Sequence, residues 1–168
     1  MSQYPTWDLQ RQAAAAPYLD AWAAIYSIPR DLLYGQCALE SGFDAAATGS
    51  VGEIGLMQLR PTTAAMLGFG GTEAELYAPD TNVQYGALYL RNLYDRYGNW
   101  PSALSAYNAG RPITGNQSYV QGVLDRAAYF DQLFGTAGHA ALTIMVILIL
   151  LGLANFALRL HGRGLAWV

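Results

Sequence analysis

Lysine is absent from this chain of 168 residues, and all nine basic side chains are arginine. We read that as a bias of coding rather than a chemical device. Charge of any kind is scarce: Asp, Glu, Lys and Arg together make up 12%, about half the usual globular share. What charge there is lies unevenly. Every carboxylate falls at or before Asp131, and seven arginines oppose twelve carboxylates up to residue 138. That acidic balance excludes nucleic acid as the partner, because phosphate binding needs a basic footprint. A single cysteine, Cys37, excludes an intrachain disulfide and says little about redox compartment. No Cys/His cluster suits a metal, and no cofactor is expected. Also missing is a secretory signal: residues 1–16 are polar and mixed, with Asp8 and Arg11, and hold no apolar core of signal length. No stretch alternates convincingly as a strand, and there is no internal repeat.

What the chain does have is helical punctuation. Its length allows one compact domain with a core and a small extra element. A first helix is expected over 17–28, with Pro17 in its opening turn and Leu19, Trp22, Ala23 and Tyr26 as a buried stripe, Trp22 included. The Ile28-Pro29 step breaks it, and Pro29 opens a second helix to Ser41. Pro61 starts a short helix through Leu67. Thr72 to Glu75 has the form of a capping box. Asp80 is placed to cap a helix over 81–97, closed by Gly98, with Val83, Ala87, Leu90, Tyr94 and Tyr97 as its core stripe. Pro101 opens the next helix and Gly110 ends it. Residues 111–117 form a Gly-, Pro- and Asn-rich loop. The last globular helix, 118–134, turns Tyr119, Val123, Ala127 and Phe130 inward.

Residues 140–158 then change the solvent. They carry no charge, and Asn155 is their one strongly polar member. As a helix they span about 28 Å, close to the hydrocarbon thickness of a bilayer. The expected organisation is an N-terminal segment (1–16), a globular domain (17–134), a short hinge (135–139), a transmembrane helix (140–158) and a short basic tail (159–168). His139 and His161 suit the two membrane interfaces, and Arg159 and Arg163 favour the cytoplasmic side for the C-terminus.

The stretch from Glu40 to Gln58 carries the chemistry. Leu33, Cys37 and Glu40 fall at i, i+4 and i+7, so the acid shares a face with apolar residues. A carboxyl group held there loses hydration in its charged form, its pKa rises, and it meets the requirement for a general acid at neutral pH. The plain alternative is a helix-end glutamate pointing into water.

Five ordered blocks weigh against the plain alternative: Glu40-Ser41, Gly55-Leu56-Met57-Gln58, Pro61-Thr62, Pro79-x-x-Asn82 and Ala106-Tyr107-Asn108-Ala109-Gly110. In order and spacing they resemble the lysozyme-like lytic transglycosylases, the family of the soluble lytic transglycosylase catalytic domain, over roughly 17–134. The resemblance implies a mainly α fold, a lysozyme-like (goose-type/transglycosylase) helical domain followed here by the one apolar C-terminal helix. It implies cleavage of the β-1,4 bond between MurNAc and GlcNAc of peptidoglycan, with Glu40 as acid and then as base on the C6 hydroxyl, giving 1,6-anhydroMurNAc without a second carboxylate. Met57 and Gln58 then line a sugar subsite, Tyr107 and Asn108 the cleft floor, and Tyr119 its border. Asn82 supports the fold through backbone groups. Ser41 fits two roles, capping the helix or positioning Glu40. Tyr107 and Tyr119 on their own read more often as core aromatics than as ligand contacts.

Two positions depart from the family's pattern. Where many relatives carry a sugar-contacting serine, nine residues after the glutamate, this chain has Gly49, with Ser50 adjacent as a substitute. The usual Gly-Ala before the Gly-Leu-Met-Gln block is Gly52-Glu53. Glu53 is either a solvated loop charge or a second carboxylate that orients water or substrate, which admits a lysozyme-type hydrolase on the same substrate. From a different class, the chain is a wall-binding membrane protein with an idle cleft. Expected partners are peptidoglycan strands, the lipid bilayer through 140–158, and other virion or envelope-complex proteins. Two settings fit: a phage particle that mounts the enzyme on its membrane to open the wall for its genome, and a bacterial inner membrane with the domain facing the wall.

Overall fold

The computed structural model describes residues 8–162, with side chains over 8–138 and 143–149. The first seven residues and the tail beyond 162, with Arg163, lie outside these, as do the side chains of His139, Asn155, Arg159 and His161. Among the described residues the chain is helical, and its only strand-like pairings are the isolated bridges Thr48–Ile54 and Ile54–Leu59. It divides into two units, 1–131 and 132–168.

The first unit is built around helix α2 (Arg30–Glu40), whose residues from Leu32 to Ala38 are all buried. A helix can be buried on every side only if a neighbour comes close, and Gly35 provides that approach. A Cβ there would lie 2.7 Å from the backbone nitrogen of Ala127 and 2.8 Å from the carbonyl of Val123, both on α7 (Gln117–Gly162). Tyr34, Phe43 and Phe130 close the core beside this contact, with Phe130 5.3 Å and 5.9 Å from the other two rings. The Tyr34 hydroxyl donates to Asp20 (2.8 Å), and Arg30 forks onto the same carboxylate at 2.6 and 2.9 Å. This fastens the start of α2 to α1 (Leu9–Ile25).

Two helix starts differ from the sequence expectation. Helix α1 begins at Leu9, not Pro17, which sits inside it. The run Ala13–Ala16 is the strongest helix former available, and Asp8 caps the end by accepting from Gln10 and Arg11 N–H at 2.9 and 3.3 Å. Its Trp22 is half-buried rather than core. The indole N–H donates to Asp80 at 2.7 Å, and the ring stacks on Tyr26. Asp80 is thereby diverted from the capping role: α5 (Pro79–Tyr97) has Ala78 at its cap and Pro79 in its first turn.

The remaining punctuation follows the sequence. Helix α3 (Pro61–Met66) precedes α4 (Glu73–Leu76), which opens on the Thr72/Glu75 capping box. Gly98 and Gly110 end α5 and α6 (Trp100–Ala109) in the left-handed conformation, at φ 74° and 75°. Helix α5 packs against α1 and α6. A smaller apolar cluster of Ile54, Leu59, Ala64 and Leu76 sits beneath Phe69, Tyr77, Tyr85 and Tyr89.

The described residues of the second unit are the later part of α7. Residues 135–139, expected as a hinge, are helical. Gly135 and Gly138 each cost a helix about 1 kcal/mol against alanine, which the surrounding helix formers absorb. From Ile144 to Ile149 every side chain is a large, exposed apolar group. This helix is long and apolar enough to cross a membrane by length and composition.

Candidate active site

Glu40 ends α2 at the floor of a cleft of about 710 Å³. Leu33 and Cys37, on its own face, are fully buried, so the carboxylate is largely cut off from water. That desolvation pushes its pKa from 4.5 up to about 7; a hydrogen bond from Tyr119 opposes the rise, and the charge of Glu53 adds to it. The Tyr119 hydroxyl donates to Glu40 Oε1 at 2.5 Å, and Gln36 Nε2 approaches that hydroxyl from behind at 3.5 Å. The result is an acid kept protonated close to neutrality while one oxygen is fixed in direction.

The loop after Glu40 forms the cleft wall. Phe43 and Gln58 both take positive φ, 64° and 44°, a conformation most residues avoid, so the surroundings must hold them there. Asn82 does much of this. Its Oδ1 accepts from Met57 N–H at 2.8 Å, and its Nδ2 donates to the carbonyls of Ile54 and Leu76 at 2.8 and 3.0 Å. Asn82 thus supports the loop through backbone groups, as expected. Gly55, at φ 71°, lets this amide close in: a Cβ there would lie 2.7 Å from Asn82 Nδ2. The Ser41 hydroxyl donates to Leu56 O at 2.8 Å, with Cys37 O at 3.3 Å. Ser41 therefore ties the end of α2 to the loop and does not line the cleft.

Several expected sugar contacts lie elsewhere. The Met57 side chain is fully buried and seated on Gly86, where a Cβ would fall 2.6 Å from Met57 Cβ. It forms the layer under the cleft rather than its surface. The Gln58 amide donates to the carbonyls of Gly55 (2.9 Å) and Ala47 (3.3 Å), so Oε1 is the atom it has left for a ligand, as an acceptor. The Tyr107 hydroxyl donates to Met57 O at 2.8 Å; its ring lines the cleft while its polar end secures the loop. Tyr119 faces Glu40 and is absent from the lining. Its hydroxyl is held well above the ordinary tyrosine range by burial and by the Glu40 charge. It is therefore a donor to Glu40.

The cleft brings together Glu40, Gly49, Ser50, Glu53, Gln58, Tyr107 and Asn108. It also exposes Thr62, of the Pro61-Thr62 block, and residues that sequence reasoning passed over: Arg60, Thr63, Met66 and Tyr89. Tyr89 packs on Tyr107 with ring centres 5.0 Å apart. Its spacing four after Tyr85 placed it on a second face of α5, and that was the signal available. Among the described residues no cluster of His, Cys, Asp and Glu could hold a metal.

Comparison with known proteins bears on the family and the fold. Residues 17–130 match the family described as the transglycosylase SLT domain. A transglycosylase of Enterobacteria phage PRD1 is 39% identical over 92 residues, covering 55% of this chain and 33% of that one. Membrane-bound lytic murein transglycosylase C of Actinobacillus pleuropneumoniae is 38% identical over 109 residues, covering 56% and 30%. The solved structure of an inactive glutamate-to-glutamine mutant of the Pseudomonas aeruginosa lytic transglycosylase Slt superposes with a TM-score of 0.65 at 27% identity, over 71% of this chain and 24% of that one. The chain spans about a third of the length of the curated relatives it matches.

Proposed function

The chain belongs to the transglycosylase SLT domain family, and from that premise we propose that it is a peptidoglycan lytic transglycosylase acting on the β-1,4 bond between MurNAc and GlcNAc. The observation that carries this reading is the state of Glu40: a desolvated carboxyl, pushed up to about 7, on the floor of an open polar cleft. Such a group holds a proton to give and, once ionised, can take one back. In the proposed reaction Glu40 donates its proton to the glycosidic oxygen as the C1–O4 bond breaks, and GlcNAc departs as an alcohol. The Glu40 carboxylate then takes the proton of the C6 hydroxyl of the same MurNAc as O6 bonds to C1. The product is 1,6-anhydroMurNAc, and no water is consumed. The substrate's own N-acetyl group covers the developing charge at C1, while Gln58 Oε1 and Asn108 offer polar contacts to the sugar.

The Tyr119 hydrogen bond favours the ionised form of Glu40 and so supports the proton-donating half of this cycle. The relative inactivated by exchanging one glutamate for glutamine agrees with a mechanism that rests on a single acid.

The exposed apolar run Ile144–Ile149 supports a membrane anchor over 140–158. With Arg159 and Arg163 on the cytoplasmic side, the catalytic domain faces the wall. The likeness to a phage transglycosylase supports local opening of the wall during delivery of a phage genome.

The test is to digest purified peptidoglycan with the full chain in detergent and identify the released muropeptides by mass spectrometry. Products ending in 1,6-anhydroMurNAc establish the reading. Exclusive free reducing ends make the protein a hydrolase, and no release makes the cleft a binding site only.

A further inference from the structure

The Glu53 carboxylate, at the end of the turn Gly49–Glu53, has no part in the single-acid mechanism, yet its seat is closely made. Gly49 N–H donates to Glu53 O at 2.8 Å and Gly52 N–H to Gly49 O at 3.2 Å, closing a tight turn in the cleft wall. The Glu53 side chain folds back over this turn, directly above Gly49. A Cβ at residue 49 would overlap Glu53 Oε2 and lie 2.9 Å from both Glu53 Cβ and Gln58 Oε1. The carboxylate thus occupies a space that only glycine leaves open.

Its two oxygens differ in their surroundings. Oε2 accepts from Val51 N–H at 3.2 Å, which fixes the group's direction. Oε1 lies 4.0 Å from Arg60 Nε, in ion-pair range but beyond a hydrogen bond, and its lone pairs are left for a ligand or water. Glu53 lines the same cleft as Glu40, and its charge bears on the Glu40 carboxyl. One cleft therefore holds the acid and, fixed in its wall, a second carboxylate with an oxygen left for water; glycosidases that activate water use a carboxylate beside the acid in this way.

We propose that Glu53 is a second proton-transfer group in this cleft, acting on a water that competes with the C6 hydroxyl for C1 of MurNAc. This rests on the glycan-cleaving reading of the cleft. In the added branch Glu40 gives its proton to the leaving O4 and the C1–O4 bond breaks. A water oxygen bonds to C1, and its proton passes to Glu53. One water is consumed, and the new end of the strand is a reducing MurNAc. Exchange with bulk water then returns a proton to Glu40 and removes one from Glu53. The chain accordingly makes two products, anhydro and reducing ends, in a ratio set by Glu53.

The experiment measures that ratio. Full-length wild type, Glu53→Gln and Gly49→Ala digest purified peptidoglycan, and mass spectrometry counts both kinds of end above the undigested background. Wild type should give both. Glu53→Gln, which keeps the shape over Gly49 but loses the base, should lower the reducing-end share by about tenfold or more. Gly49→Ala retains the carboxylate but forces it off its seat, and should lower the share as well. Circular dichroism shows which variants are folded, and if one is not, the other decides. Anhydro ends alone from wild type, or a share unchanged in the folded variants, overturns the proposal while leaving the transglycosylase reading intact. Release of neither end by wild type overturns the glycan-cleaving reading itself.

Discussion

Replacing Glu40 by glutamine should stabilise the fold at alkaline pH and do so progressively less as pH falls. The folded-state pKa of Glu40 is raised from 4.5 to about 7, chiefly by desolvation. A carboxyl group with a raised folded pKa contributes stability that is fully present below its unfolded value and lost as pH rises through the folded one. The loss runs between the unfolded pKa of 4.5 and the folded one of about 7, and at about 1.4 kcal/mol for each pH unit between those two values it amounts to about 3 kcal/mol. Glutamine keeps the shape and the hydrogen bond to Tyr119 but has no charge to desolvate, so the variant escapes this loss. For a chain of this size about 3 kcal/mol corresponds to roughly 6 to 12 °C in Tm. The assay is thermal unfolding of both full-length proteins in detergent, followed by circular dichroism across that pH range. The difference in Tm, variant minus wild type, should widen by that amount from acid to alkali. A difference that stays flat would mean that Glu40 is hydrated in the folded protein and titrates normally.

Three further outcomes follow from the same geometry. Tyr119→Phe removes the one hydrogen bond that favours ionised Glu40, so the alkaline limb of the kcat/KM profile should move up by roughly one pH unit; a purely structural tyrosine would lower the rate at every pH and leave the limb in place. Asn82→Ala strips partners from Met57 N–H and from the Ile54 and Leu76 carbonyls, and denaturant unfolding should show a loss of about 3 kcal/mol or more. Ile149→Arg puts a charge near the centre of the apolar run at a cost of about 3 kcal/mol on insertion, and the fraction of protein floating with liposomes should fall sharply against wild type.

Much of this was legible in the sequence because it is written in local chemistry. The capping box at Thr72, the glycine stops at Gly98 and Gly110, and the apolar face behind Glu40 each depend on residues within one or two turns. The missed features depend on partners far apart in the chain. Asp80 looks like a cap until Trp22, 58 residues away, claims it. Pro17 looks like a helix start because the pull of Ala13–Ala16 and the Asp8 cap is spread over the preceding turns. At the site, spacing put Glu40 on an apolar face, and the resemblance singled it out as the acid and supplied the other roles. Neither shows direction. Whether Met57 faces sugar or core, or Tyr119 the cleft or Glu40, is decided by packing against Gly86 and Gln36. The fit of Glu53 over Gly49 is likewise invisible to a reading that takes each position alone.

The proposed function makes Glu40 the one indispensable proton-transfer group of a glycan-cleaving cleft. The most direct measurement compares soluble muropeptide release by wild type and Glu40→Gln, with co-sedimentation on intact peptidoglycan as the control for binding. The account predicts that release falls by about a hundredfold or more while the folded variant still sediments with the wall. Release within a fewfold of wild type would contradict it and move the chemistry to another group in the cleft.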